Sequence, residues 1–189
     1  MSYDDPFRQR VLNAITAAIK EITVANGYKV DLADDLDPDA EHPERVFRGR
    51  AWFGDTDPIP MISVLEAPDE AEEFIDEPFD GKQEGGWWDL FVQGFVNDDP
   101  YHPTDPAYVL LADVRRRLLL ERRRKHQVHR NQPDPFGMGV ASSGGSGNAV
   151  LGLKVGKGTV RPADDVSAKA YFWFRLSVQI IEDGEKPYD

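Results

Sequence analysis

Residues 85–124 constrain the fold more than any other stretch, because an apolar strand leads there through an acidic, proline-bearing turn into an amphipathic helix. From 87 to 96, alternating residues are largely apolar on both faces of the strand. Such a strand is typical of the inside of a sheet that a second layer covers on at least one face. The sequence therefore predicts an α/β fold of the α+β type, with Phe91 of the strand and Leu111 of the helix in its core.

Two amphipathic helices are predicted, and each begins with an Asp-Pro pair. Asp105 suits the N-cap of one helix and Pro106 its first position, and Asp5 and Pro6 repeat this pattern near the N-terminus. Apolar residues then recur at three- and four-residue spacing in both segments. The earlier helix is expected to stop at Gly27.

Further strands are predicted where short apolar or alternating runs are bounded by proline and glycine. They span residues 28–32, 46–53, 60–66, 149–155, 159–161 and 170–182. The run at 60–66 is nearly continuously apolar, so it is expected inside the sheet. The segments 149–155 and 159–161, separated by Gly-Lys-Gly, are expected to form a hairpin. Together these segments predict a single sheet, mostly antiparallel or mixed, with both helices packed on it.

The chain length of 189 residues fits one domain, residues 1–189, which carries two long additions. One is the acidic arm, residues 66–84, which is rich in Asp and Glu and contains apolar side chains that a neighbour could bury. The other is an insertion at about 125–169, which is rich in Gly, Pro and Ser and predicts projecting loops.

Net charge and composition exclude several classes of function. A formal charge of -12 opposes general nucleic-acid binding, because a DNA-binding surface neutralises phosphates with basic side chains. The absence of cysteine excludes disulfides and thiolate metal sites. We expect neither a signal peptide nor a transmembrane segment, and therefore a soluble protein made in the cytoplasm.

Motifs that carry chemistry fail at required positions. A phosphate-binding loop has Leu151 in place of its first glycine and Gly158 in place of its Ser or Thr, and a nucleophile elbow has Asn148 in place of its second glycine. The alternating aspartates of residues 35–39 lack the glycine and the closing glutamate of a calcium loop. His126 and His129 have helical spacing but no cysteine or carboxylate at ligand spacing. We therefore predict a protein that is not an enzyme and that binds no metal or cofactor.

Arginines at the end of the second predicted helix oppose the charge of the whole chain. They could form a solvated helix end that matches the helix dipole. An acidic protein partner, including another copy of the chain, suits the overall charge better than nucleic acid does. We predict an interface in which the acidic arm of one subunit contacts this basic helix end in the next. Its residues are Glu72, Glu73, Phe74, Ile75, Asp76 and Phe79 in the arm and Arg115, Arg116, Arg122, Arg123 and Arg124 on the helix.

Six segments follow one another in a characteristic order: LNAITAAIKEI, GYKV, RVFRGR, PMISVLEA, WWDLFVQGFV and DPAYVLLADVRRRLLL. This order resembles the tail terminator, or tail-completion, proteins of long-tailed bacteriophages, over residues 7–121 and again in the last strand. The resemblance implies a structural virion protein without catalytic residues. In that family a small α/β subunit forms a hexameric ring, which ends the growing tail tube and offers the surface to which the head docks.

The resemblance also implies partners and a location. The partners are further copies of the chain, the tail tube protein and a neck or head-completion protein, while DNA passes through the ring without specific binding and no membrane is involved. The location is the head-proximal end of the virion tail, after synthesis in the host cytoplasm. Two alternatives stay open, namely a neck or head-tail connector protein of the same kind of virion and, in a different class, a small hydrolase.

Overall fold

A computed structural model describes residues 5–35, 43–51, 54, 57–67, 83–144, 147–164 and 167–188. Its elements in chain order are α1 Phe7–Lys20, β1 Val46–Arg48, β2 Met61–Glu66, β3 Gln83–Val96, α2 Asp105–Arg123, a 3-10 turn Pro135–Gly137, β4 Ala149–Val155, β5 Thr159–Arg161 and β6 Ala170–Asp183.

All six strands belong to one sheet, in the order β1-β2-β3-β6-β4, with β5 also paired to β6. β1 runs parallel to β2, and the other neighbours are antiparallel. The predicted α+β class with a single mixed sheet is therefore confirmed. β2 lies between β1 and β3, inside the sheet as its apolar sequence predicts.

β3 and β6 form the centre of the sheet. They pair in one uninterrupted register, from Gln83 opposite Asp183 to Val96 opposite Ala170. One face of this ladder is buried, and its side chains include Trp88, Leu90, Val92, Phe172, Phe174, Leu176, Val178 and Ile180. The alternation of the last strand thus predicts its core face correctly.

Both helices pack on this buried face. Phe7, Val11 and Ile15 of α1 join Leu110 and Leu118 of α2 in one core cluster with the β3 and β6 side chains. The opposite face of β3 is only partly covered, because Trp87 is 37% exposed and Phe91 is half-buried. The sequence prediction of a core position is therefore confirmed for Leu111 but wrong for Phe91.

The predicted helix caps are wrong by one residue. α2 begins at Asp105 itself, with Thr104 at the N-cap, and α1 follows Pro6 at its N-cap; neither helix has a side-chain capping hydrogen bond. The Asp105 carboxylate instead lies in the first turn of α2, where its charge suits the helix dipole. The Asp5 carboxylate accepts a hydrogen bond from the Asn13 side chain at 2.7 Å.

α1 ends at Lys20, well before Gly27, and residues 28–32 do not form the predicted strand. The backbone N–H groups of Lys29 and Val30 donate to the Asp113 carboxylate at 2.6 and 3.1 Å. The N–H of Leu32 donates to the carbonyl of Ile22 at 2.8 Å. These donors are satisfied by a side chain and a loop carbonyl, so this segment packs on the helices without joining the sheet.

The predicted hairpin of β4 with β5 is also wrong. Both strands exist at the predicted positions, but each pairs with β6 along the same edge. The N–H of Gly156 donates to the carbonyl of Arg175 at 2.9 Å, which keeps the connecting residues beside β6. Because β6 is 14 residues long, its edge has enough backbone donors and acceptors to pair with β4 and with β5.

β1 is shorter than the predicted strand at 46–53. It ends at Arg48, before Gly49 with φ +66°, a left-handed conformation that glycine adopts without strain. Residues 52 and 53 of the prediction lie outside the described residues.

The Leu111→Ala substitution should lower the free energy of unfolding by about 2–5 kcal/mol, because it removes buried methyl groups from the core. The Phe91→Ala substitution should have a smaller effect, because that ring lies on the partly exposed face of the sheet. Urea denaturation of both variants and the wild type measures the difference. Equal losses would contradict this placement of Phe91.

The Gly94→Ala substitution should destabilise the protein by about 1–3 kcal/mol through overpacking. A Cβ at this position would lie 2.4 Å from the Phe172 ring and 2.7 Å from the Ile62 side chain. Gly184→Ala is the matched control, because its Cβ would meet nothing within 4 Å. Thermal denaturation followed by circular dichroism compares the two, and an unchanged melting temperature for Gly94→Ala would refute the proposed close contact.

Candidate functional site

The exposed side of α2 combines apolar and arginine side chains. Tyr108, Val109 and Leu120 are 57%, 41% and 49% exposed, although the other side of the helix is fully packed in the core. The exposed residues of α2 from position 108 onward, here named the α2 outer face, are Tyr108, Val109, Ala112, Arg116, Leu120, Arg122 and Arg123. From position 108 onward this set contains no acidic residue, and the exposed Asp105 lies in the first turn of the same helix. The α2 outer face is therefore both apolar and positively charged, in a chain whose net charge is -12.

The five predicted interface arginines have different surroundings. Arg122 and Arg123 are exposed and form no ion pair with any residue that the structure describes. Arg116 is exposed too, but it donates to the carbonyl of Gly27 at 2.8 Å and lies over the Tyr28 ring. Only part of its charge is thus available to a partner.

Arg115 and Arg124 are the other two predicted interface residues. Arg115 is half-buried, and its Nε lies buried without a hydrogen-bond partner among the described residues. The Arg124 guanidinium lies 3.5 Å from the Glu121 carboxylate and is 46% exposed. The structure therefore places the most available charge at Arg122 and Arg123, at the C-terminal end of α2.

Arg117, in the middle of the arginine run, has a structural role. Its guanidinium lies 2.6 Å from Glu21 and 2.7 Å from Glu121, and its Nε donates to the carbonyl of Ala18. Glu121 is only 4% exposed and also accepts the N–H of Phe136 at 2.9 Å. This network joins the end of α1, α2 and the 3-10 turn. The four-residue spacing of Arg117 and Glu121 is its one sequence signal.

The chain beyond α2 folds back in a small loop. The N–H of Asp134 donates to the carbonyl of Arg124, and the N–H of His126 donates to that of Gln132. The His126 and His129 rings stack at 5.1 Å, and Nδ1 of His126 accepts the N–H groups of Val128 and His129. In the described part of the chain, no group of three or more His, Cys, Asp or Glu side chains could hold a metal ion.

A second partly exposed surface lies on the sheet face that the helices leave uncovered. Here named the aromatic sheet face, it comprises Trp87, Phe91, Phe95, Tyr171 and Trp173. The Tyr171 ring stacks with Phe95 at 6.0 Å and with Trp173 at 5.7 Å. Burial raises the pKa of Tyr171, and so does the hydrogen bond that its hydroxyl donates to Asp164 at 2.9 Å. This surface is absent from the predicted interface, although the alternating aromatic residues of β3 and β6 were its sequence signal.

The arm residues of the predicted interface lie outside the described residues. They are Glu72, Glu73, Phe74, Ile75, Asp76 and Phe79. The described chain leaves β2 through Ala67, whose N–H donates to the carbonyl of Asp89 at 3.2 Å, and resumes at Gln83 in β3. The contact between the arm and the basic helix end therefore stays a prediction.

Comparisons with known proteins do not assign the chain to a family. No protein-family model matches it, and no curated protein matches it. The resemblance to tail terminators therefore stays a prediction that rests on the order of the elements. Across the described residues, no helix is both long enough and apolar enough to cross a membrane.

The Glu121→Ala substitution should lower the free energy of unfolding by about 3 kcal/mol, because it removes the buried one of the two carboxylates on Arg117 and leaves the Phe136 N–H without its acceptor. Glu21→Ala is the matched control. This substitution removes the second carboxylate that lies against Arg117. Because the Glu21 side chain is 63% exposed, the free energy of unfolding should fall by less than about 1 kcal/mol. Chemical denaturation measures both, and equal losses would contradict the structural role of Glu121.

Proposed function

We propose that this chain is a structural subunit that assembles with copies of itself into a ring, and that the ring is the tail terminator of a long-tailed bacteriophage. In this role the ring caps the tail tube, ends its elongation and offers the surface to which the head or neck attaches. The chain then acts as an assembly component and not as an enzyme.

The observation that carries this proposal is the pair of different partly exposed surfaces on opposite sides of one subunit. The α2 outer face points away from the sheet, because the other side of α2 is buried against it. The aromatic sheet face lies on the far side of the same sheet. Exposed apolar surface of this kind marks sites of protein contact.

Two unlike surfaces favour a head-to-tail arrangement. A twofold dimer joins a patch to the same patch of its partner, whereas a ring joins two different patches at every interface. A subunit with unlike surfaces on opposite sides suits the second arrangement. The ring order of six and the position at the end of the tail tube come from the resemblance of the sequence to tail terminators.

The aromatic sheet face has the chemistry of a contact with another protein. Aromatic side chains are enriched in protein interfaces, where they bury a large area with few rotatable bonds. The Lys154 ammonium lies 3.7 Å from the centre of the Trp87 ring and adds a positive charge to the edge of the aromatic sheet face. We assign this surface to contacts with a second subunit or with the neighbouring tail protein.

Purified protein is expected to form closed rings in negative-stain electron microscopy, with a mass by light scattering that is a whole multiple of the 21.3 kDa chain. A protein that stays monomeric at all accessible concentrations would overturn the ring proposal. The terminator role is tested separately, by locating the ring in a map of the assembled virion. Density directly on the end of the tail tube supports a terminator, whereas density one level nearer the head identifies a neck or connector protein.

A further inference from the structure

We infer that the α2 outer face is the docking site for the acidic segment 68–82 of a neighbouring copy of this chain. This inference rests on the proposed ring, and it names the surface and the segment that meet at each interface. It also shifts the predicted contact, because the receiving surface is partly apolar and extends along α2 beyond its arginine-rich end.

The receiving surface is continuous along the helix. Val109, Ala112, Arg116, Leu120 and Arg123 follow one another at three- or four-residue spacing, so they lie on one side of α2. At about 1.5 Å per residue, this row is about 21 Å long. It combines three apolar side chains with the guanidinium groups of Arg116 and Arg123.

This surface has an exposed apolar side chain and exposed arginines that no described residue covers. Leu120 is 49% exposed in a helix whose other side already fills the core. Arg122 and Arg123 form no ion pair with a described residue, unlike Arg117, which lies against two carboxylates. A partner that fits must supply both apolar side chains and carboxylates.

Residues 68–82 have this composition. The segment contains seven Asp or Glu residues and a single basic residue, Lys82, and its apolar side chains include Phe74, Ile75 and Phe79. Carboxylates can approach Arg122 and Arg123 while the aromatic rings cover Val109 and Leu120. Complementary charge of this kind fixes the register of a contact and speeds association more than it raises affinity.

The geometry favours a neighbouring copy over the same chain. Segment 68–82 connects β2 to β3 and so begins and ends in the sheet layer, whereas the α2 outer face lies on the far side of the helix layer. A 15-residue segment that must leave and return reaches at most about 25 Å, half of its extended length. A ring joins two different surfaces at every interface, so segment 68–82 of one copy can meet the α2 outer face of the next copy at each of them.

The test reverses charge on one side of the contact at a time. Variant A carries Arg122→Glu and Arg123→Glu, and variant B carries Glu72→Lys and Glu73→Lys. Each variant alone should assemble at least about tenfold more weakly than the wild type, because like charges then meet at every interface. An equal mixture of A and B should regain assembly, because the unchanged acidic segment of A fits the arginines of B, and the two lysines introduced in B fit the two glutamates introduced in A.

Two further variants complete the design. The charge-matched control carries Arg48→Glu and Lys157→Glu, two exposed cations outside α2, and should assemble like the wild type. Leu120→Asn should weaken assembly at every salt concentration, whereas the losses in A and B should shrink as salt rises, because salt screens exposed charges. Light scattering at several salt concentrations measures assembly, and circular dichroism checks that each variant is folded.

Three results would overturn the inference while leaving the ring proposal intact. They are unchanged assembly of A and B, an equal loss in the charge-matched control, and a loss in A and B that mixing does not restore. The third result would indicate that the segment contacts its own copy. A wild-type protein that never assembles would overturn the inference and the proposed ring together. Impaired assembly of A and of B that is restored only in the mixture supports the inference.

Discussion

The ladder between β3 and β6 is the interaction on which the rest of the structure depends. These two strands are 14 residues long and pair over their entire length, so they determine which side chains meet across the centre of the sheet. Gly94 lies opposite Phe172, and the Phe172 ring occupies the space that a side chain at 94 would need. β2 attaches to one side of this pair, and β4 and β5 attach to the other. A slip of one strand by one residue would move all of its core side chains to the opposite face.

Buried carboxylates connect the helices and loops that surround this ladder. Asp113 accepts the N–H groups of Lys29 and Val30, and Glu121 joins Arg117 to the N–H of Phe136. Asp134, 4% exposed, accepts the N–H of Gly139 and the hydroxyl of Ser142. Each carboxylate receives at least two hydrogen bonds, and a buried charged group is stable only with such partners. In so acidic a chain, the structural carboxylates are those that the fold buries.

Periodic patterns allowed much of the fold to be predicted from the sequence. The continuous apolar run of β2, the alternation in β6 and the helical spacing of Leu110, Val114 and Leu118 in α2 each reflect a regular relation between a residue and the core. The errors arose where distant groups compete for the backbone. The segment 28–32 has a strand-like composition, but its N–H groups bind Asp113, a residue far along the chain. The β4–β5 hairpin failed for a similar reason, because β6 offers both strands a partner.

The candidate site was predictable to a lesser degree. The sequence identified the arginine run on α2, but apart from the four-residue spacing of Arg117 and Glu121 it did not separate Arg117, which belongs to an internal network, from the exposed Arg122 and Arg123. The spacing of apolar residues correctly placed Leu118 on the core side of α2. It did not draw attention to Tyr108, Val109 and Leu120, which fall outside that apolar stripe and are exposed.

The two edges of the sheet have a consequence for how copies of this protein can meet at high concentration. In the described part of the chain, one edge is β1, with three residues, and the other is divided between β4 and β5 by a glycine-bounded break. Short, interrupted edges offer few consecutive backbone donors and acceptors to a foreign strand. Subunits at high concentration would therefore have little opportunity to aggregate or form fibres through edge-to-edge strand pairing. Their association would be governed by side-chain contacts, which a change of salt or of a single residue can reverse.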